Sequence, residues 1–338
     1  MCGFVTDLFT FAFLPINLVN LAFIGYLSLA VLCTLGSHLF ATAREHPTMW
    51  RRALSVIFPL GAQYAIGSLL SGCLIFYTKS AAVFVSWPFL LLLVAIFIGN
   101  EYFRTYHKHL AFQVVLLFFA LYAYSIFAVP LFLHQLGPWM FLLSTLVSLV
   151  LFAGVIYILG RMRRPDFRKS LVYTLWGVLA VVGIMNALYF SGLVPPIPLT
   201  LPHAGVYHSV ERRAGEYVVT TERVRAWWDV QTEVVHHVSG TPLYVFSSIS
   251  APFAFDTSVV HVWEYYDAQK KVWTVRSRIA FPITGGRDGG YRGYSEATDP
   301  EAGKWRVSIQ TKNGQVIGRV YFTVETVAVE PLIQEIKR

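Results

Sequence analysis

Long apolar stretches fill the first half of the chain, and short alternating ones fill the second. From Leu8 to Ala43 no side chain carries a formal charge. That exceeds the roughly 20 residues a helix needs to cross a bilayer. The first crossing is therefore placed at Ile16–Phe40, with the preceding residues as a lead-in. Further apolar runs predict helices over Ala53–Tyr77 and Ala81–Ile98. Residues 110–160 are again uncharged, which is too long for one crossing. Pro130, His134, Gly137 and Pro138 punctuate their middle. Proline removes a backbone donor and glycine loosens the chain, so the run divides into Leu110–Val129 and Trp139–Leu159. Leu171–Phe190 makes a sixth helix.

From Tyr207 the period changes to two. In Val272–Phe281, Trp273, Val275, Ile279 and Phe281 fall on one face, with Thr274, Arg276 and Arg278 on the other. In Trp305–Lys312, Trp305, Val307 and Ile309 oppose Arg306, Ser308 and Gln310. In Val316–Val324, Val316, Val320, Phe322 and Val324 oppose Ile317, Arg319, Tyr321 and Thr323. Such alternation marks half-buried antiparallel strands. Asn313-Gly314 predicts a tight hairpin with positive φ at both turn positions, and Asp267–Lys271 predicts a second after the strand Val259–Tyr266. Tyr244–Ser248 and Tyr217–Thr221 read as further strands. The expected fold is an α-helical polytopic membrane bundle of about six transmembrane helices, followed by an all-β, immunoglobulin-like antiparallel sandwich. The domains are a transmembrane part (1–190), a proline-rich linker (191–206) and an extracytoplasmic β-domain (207–338).

Charge sharpens this reading. Residues 1–190 hold 11 Lys/Arg and 4 Asp/Glu; the remainder holds 16 and 15. The net charge of +8 is thus concentrated in the connectors between apolar runs, and the second half is nearly neutral. A nucleic-acid partner is not indicated, because no basic face is concentrated on a soluble domain. The connectors after helices 1, 3 and 5 hold ten Lys/Arg; those after helices 2 and 4 hold one, Lys79. Basic connectors face the cytoplasm, which puts both termini and the β-domain on the opposite side.

Little catalytic chemistry is legible. There is no G-x-S-x-G elbow, P-loop, CxxC or H-E-x-x-H, and Ser247, Ser248 and Ser250 lack a nucleophile setting. The three cysteines, Cys2, Cys33 and Cys73, all lie in the membrane part, so no disulfide framework holds the β-domain. His236, His237, His261 and Glu264 match no metal-binding spacing; no metal and no cofactor are expected. Asn20, Gln63, Gln113 and Asn186 lie within spans, where amide side chains serve to bond helices together. A polar cluster at the membrane interface, Glu101, Arg104, His107 and His109, is the one place in the first half for proton or metal chemistry; its bland alternative is a carboxylate paired with Arg104 or Lys108. In the second half, four glycines surround Arg287, and Tyr291, Arg292 and Tyr294 follow. A loop presenting arginine forks and flat tyrosine faces suits an anion or a glycan. Trp227 and Trp228 add a possible aromatic anchor.

The runs PLYVFSSISAPF, HVWEYY, ITGGRDGGYR and GKWRVSIQTKNGQVIGRVYFTVE resemble the carboxy-terminal domain of bacterial membrane proteins in the domain-of-unknown-function family 2914. The resemblance covers Tyr244 to Glu325 well and the membrane part, through GNEYFR, more loosely. It implies a bacterial inner (cytoplasmic) membrane protein with a periplasmic β-domain, and no assigned activity or cofactor. The expected function is a non-enzymatic membrane protein that displays a β-sandwich to an envelope protein or glycan. A transporter or channel with an accessory β-domain, and a membrane-embedded enzyme acting on lipid, are the alternatives.

Overall fold

The computed structural model describes residues 16–40, 48–79, 86–102, 110–162, 167–194, 199–213, 216–222, 233–250, 257–283, 291–329 and 331–337. The chain divides into two compact units, one helical through Val194 and one that holds Pro195–Arg338.

The helical unit contains α1 (Ile16–Phe40), α2 (Met49–Lys79), α3 (Trp87–Tyr102), α4 (Leu110–Leu133), α5 (Pro138–Arg161) and α6 (Phe167–Phe190). Five are long and apolar enough to cross a membrane. The exception is α3, whose 16 residues span about 24 Å at 1.5 Å per residue, short of a hydrocarbon core of about 30 Å. Several helix boundaries differ from the sequence expectation, among them the end of α3 at Tyr102 and the start of α6 at Phe167, and two differences involve prolines. Helix α2 begins four residues earlier and keeps Pro59 inside. Helix α4 runs through Pro130 to Leu133, and the break falls at His134–Gly137, where both end residues take positive φ.

Helix α4 is the axis of the unit. Its span is 89% buried, against 17% for α6, and it packs against α1, α2, α5 and α6. The amides inside the spans bond between helices. The Tyr124 hydroxyl donates to Asn20 Oδ1, and Ser37 Oγ donates to Gln113 Oε1 at 3.2 Å. Gln63 and Asn100 exchange bonds with each other's carbonyl at 2.8 and 3.1 Å. Asn186 Nδ2 donates to the Tyr122 hydroxyl at 3.3 Å, which also meets Thr145 Oγ1 at 2.6 Å. These pairs replace the water that the apolar surroundings exclude.

Among its described residues, the second unit has eleven strands: β1 (Thr200–Tyr207), β2 (Ser209–Arg213), β3 (Glu216–Thr221), β4 (Glu233–Val238), β5 (Pro242–Ser250), β6 (Thr257–Asp267), β7 (Val272–Ile283), β8 (Tyr291–Thr298), β9 (Gly303–Thr311), β10 (Val316–Val327) and β11 (Gln334–Lys337). They form sheets ordered β1-β5-β8, β4-β10-β9-β6-β7 and β11-β3-β2. The first two face each other as a sandwich. The third covers the back of the first through Tyr207, Val210, Val219 and Phe246.

Three features depart from the sequence reading. Residues 200–206, read as linker, belong to β1, which pairs antiparallel with β5; Pro202 is accommodated because β1 is an edge strand. The sandwich is not wholly antiparallel, since β4 runs parallel to β10. The β9–β10 hairpin forms, but only Gly314 takes positive φ, and its N–H bonds to the Thr311 carbonyl at 2.9 Å. Asn313 therefore sits in a wider turn than the two-residue type.

A Cβ placed on Gly177 of α6 would lie 2.5 Å from Val115 Cγ2 of α4, so the two helices meet where one has no side chain. Gly177→Val is expected to destabilise the helical unit by about 1–3 kcal/mol, and adding Val115→Ala is expected to recover most of that. Thermal unfolding of the detergent-solubilised protein measures both.

Candidate binding site

The sandwich is pinned by polar groups. His261 of β6 is fully buried between the two facing sheets. Its Nε2 meets Ser247 Oγ of β5 at 2.9 Å and its Nδ1 meets Ser295 Oγ of β8 at 2.8 Å. Trp263 Nε1 donates to the same Ser295 oxygen at 2.9 Å. Burial pushes the imidazole down to about 4, because a charged ring would sit in an apolar interior. The Ser–His contact has the atoms of a nucleophile–base pair, but both residues have no solvent exposure. Its arrangement suits structure.

The opposite face of the five-stranded sheet carries different chemistry. Glu264, one residue past Trp263, points the other way along the strand. Arg306 of β9 forks onto it, Nε to Oε2 and Nη2 to Oε1, both at 2.7 Å. Ser308 Oγ donates to Oε2 at 3.0 Å, and Arg319 Nε donates to Ser308 Oγ at 3.2 Å. Burial pushes the Glu264 carboxyl up, but the hydrogen bonds and charge of Arg306 outweigh it and hold it below the usual carboxylate range. The Arg306 guanidinium lies 4.5 Å from the Trp273 ring centroid. Tyr266 and Tyr321 flank Trp273 at 5.1 and 6.2 Å, and Tyr321 and Val275 are exposed. A charged pair is thus enclosed by a half-exposed aromatic rim.

A bulge creates this rim. Trp263 pairs with Ser277 and Glu264 with Val275, so Arg276 is the extra residue. Side chains alternate, and one inserted residue exchanges the faces. Trp273 and Val275 consequently face outward with Glu264. Ile279 and Phe281 pair opposite His261 and Val259 on the core side, and the Phe281 ring meets His261 at 4.9 Å. The expectation that all four share one face is corrected. A second slip between Val316 and Gly318 buries Ile317 completely, although it was placed with the outward set.

A third cluster lies at the sandwich's flank. Glu222, just past β3, meets His208 Nε2 at 2.9 Å and His236 Nδ1 at 2.6 Å. It also accepts the His236 backbone N–H at 2.7 Å. His208 and His236 line a cleft of about 270 Å³ with Ser209, Thr220, Val238 and Ile333 among its walls.

The expected site residues are placed as follows. Tyr291, Arg292 and Tyr294 lie on β8, a sheet edge, rather than in a loop. They pair with Ile249, Ser248 and Phe246, so Tyr291 faces away from the other two. Tyr294 is exposed and stacks at its edge with Tyr217 and Tyr244. Arg287, Trp227, Trp228, Arg104, His107 and His109 lie outside the described residues, as does the side chain of Glu101, which sits near the end of α3. His236, His237, His261 and Glu264 go to separate places, and no metal-holding set occurs among the described residues. Sequence reasoning missed the roles of His208, Glu222 and the Glu264–Arg306 pair. The alternation of β9 and β10, with Arg306 and Arg319 opposite the apolar set, signalled outward arginines there.

Residues 256–324 match the model of a family described as protein of unknown function (DUF2914). The match spans β6 to most of β10, the strands that build the aromatic rim. Among solved structures, an immunoglobulin-like protein from Pseudomonas aeruginosa is 12% identical, with a TM-score of 0.23, over 38% of this chain and 96% of its own. An alkylpurine DNA glycosylase from Pseudomonas fluorescens, bound to DNA with an abasic-site analogue, is 12% identical with a TM-score of 0.25, over 91% of this chain and 99% of its own. No curated protein matches the sequence.

The His261 imidazole stays neutral in the folded chain well below the ordinary histidine value of 6.5. The unfolded chain therefore takes up a proton first as pH falls. Stability is full above pH 6.5 and declines toward pH 4, by about 3 kcal/mol in all. Tryptophan fluorescence during denaturation at several pH values checks this, with a shallower slope expected for His261→Gln. Replacing Arg306 alone with Met strands the Glu264 carboxylate and is expected to cost about 3 kcal/mol, whereas Glu264→Leu with Arg306→Met together is expected to cost far less. A double-mutant cycle measures the difference.

Proposed function

We propose that this chain is a bacterial inner-membrane protein that crosses the bilayer six times. Both termini are periplasmic, and the second unit is an immunoglobulin-like module that binds an envelope partner, a protein or a glycan. Five long apolar helices and the alternation of basic connectors support the membrane part. The strand order supports the module. Neighbours β1-β5-β8 follow the A-B-E order of an immunoglobulin sheet, and β6-β9-β10 follow C-F-G. Trp263, buried on β6, occupies the strand that carries the conserved core tryptophan of antibody domains.

The observation that carries the binding role is the outward face of the five-stranded sheet. Trp273, Tyr266 and Tyr321 surround the Glu264–Arg306 pair, and none of these rings is needed to fill the core between the sheets. Aromatic rings with a buried polar centre are the composition of an interaction hot spot. Tyr321 also offers a flat face with a polar tip, suited to sugar or peptide.

Affinity capture from native membranes in mild detergent tests this reading. Tagged full-length protein is expected to retain a specific envelope protein or glycan. The Trp273→Ala, Tyr321→Ala double variant is expected to lose at least tenfold of that capture with an unchanged circular dichroism spectrum. Equal capture by the double variant would remove this face from consideration.

A further inference from the structure

Among the described residues, the small sheet β11-β3-β2 shares no backbone ladder with the five-stranded sheet. Its apolar contacts run to β1 and β5, through Tyr207, Val210, Val219 and Phe246. A different link joins it to the five-stranded sheet. Glu222 follows β3 directly, and His236 sits on β4, an edge strand of the five-stranded sheet. Both oxygens of Glu222 are engaged, Oε1 by the His236 backbone N–H and by His208 at the β1–β2 corner, Oε2 by His236 Nδ1.

We propose that the His208–Glu222–His236 cluster is a proton-operated clasp that closes the small sheet onto β4 and so sets the width of the cleft beside it. The cleft's walls come from both sides of the clasp. Ser209 and Thr220 belong to the small sheet, His236 and Val238 to β4, and Pro331 and Ile333 to the segment leading into β11. Separation of the two sheets widens it.

Two carboxylates flank the His236 ring. Nδ1 meets Glu222, and Nε2 lies 3.9 Å from Glu325 Oε2 on β10. A charged imidazolium carries an N–H on both nitrogens and places one positive charge between the two carboxylates. A neutral ring keeps one N–H and leaves two carboxylates facing one another across it. His237, next along β4, turns to the opposite face, where its Nε2 meets the Thr241 carbonyl at 2.7 Å and Asp299 at 3.9 Å.

The hydrogen bond that His236 donates to Glu222 raises the imidazole above its ordinary value, aided by the charges of Glu222 and Glu325. Burial pushes Glu222 up, but its bonds from His236 and His208 prevail and hold it below the usual carboxylate range. The histidine contribution is complete below the ordinary histidine value and disappears as pH rises through the raised one. The carboxylate contribution is complete above the ordinary carboxylate value and disappears as pH falls through the lowered one. The clasp is therefore closed in mild acid and loosens above neutrality.

Hydrogen exchange by mass spectrometry on the full-length protein in detergent, corrected for intrinsic exchange between pH 5.5 and 9, tests the clasp. Protection of residues 209–213 and 216–221 is expected to fall at least fivefold as pH rises from 6 to 9. His236→Gln is expected to flatten the profile at its alkaline level. Glu325→Gln is expected to keep the transition and move its midpoint to lower pH, which a merely structural histidine would not produce. A flat profile in the unaltered protein, or a transition that survives His236→Gln, overturns the proposal.

Discussion

A polar group withdrawn from water is costly without a partner, and in each unit several buried polar side chains bond across elements. An unmatched buried donor or acceptor costs about 1–3 kcal/mol, comparable to the gain from burying a large apolar side chain. In the helical unit the cost falls on α4, which has almost no contact with the outside. Tyr122, Tyr124 and Gln113 on that helix each reach a polar group on a neighbour. The directional bonds choose the rotation of each helix about α4, which uniform apolar packing leaves undetermined. In the sandwich, His261 performs the same service between sheets, with one nitrogen for each of two serines.

This division of labour frees the outward face. Because the core is filled by Trp263, Trp305, Phe322 and the polar pin, Trp273 and Tyr321 are available for contact with other molecules. The Glu264–Arg306 pair holds the middle of that face in one geometry. A bidentate fork has little freedom, and the stacked Trp273 ring inherits its position. The result is a surface held in one geometry, and preorganisation of that kind lowers the entropic cost of any association.

The sequence disclosed what depends on neighbours along the chain. Apolar runs gave the helices, and alternation gave β6, β9 and most of β10, because local period is set by which face meets the core. What depends on inserted or distant residues escaped. One extra residue, Arg276, inverts half of β7, and alternation carries no mark of it. Pro202 argued for a spacer because the edge position of β1 is a property of the assembled sheet. The parallel pairing of β4 with β10 joins segments some 90 residues apart. The Glu222 cluster unites residues 14 apart on either side, without the regular spacing that betrays a helix-borne site. The glycine-rich run reads as a loop in the sequence, yet its described residues, from Tyr291 onward, form a strand whose faces separate Tyr291 from Arg292 and Tyr294.

The bulge at Arg276 has a consequence beyond side-chain direction. Strand β7 ends the five-stranded sheet with twelve residues, and an edge of that length is a template for pairing with another molecule. The kink at Arg276, with the exposed guanidiniums of Arg276 and Arg278 beside it, interrupts the straight row of free peptide groups such pairing requires. The same inserted residue therefore works against strand-to-strand pairing of one β-sheet with another.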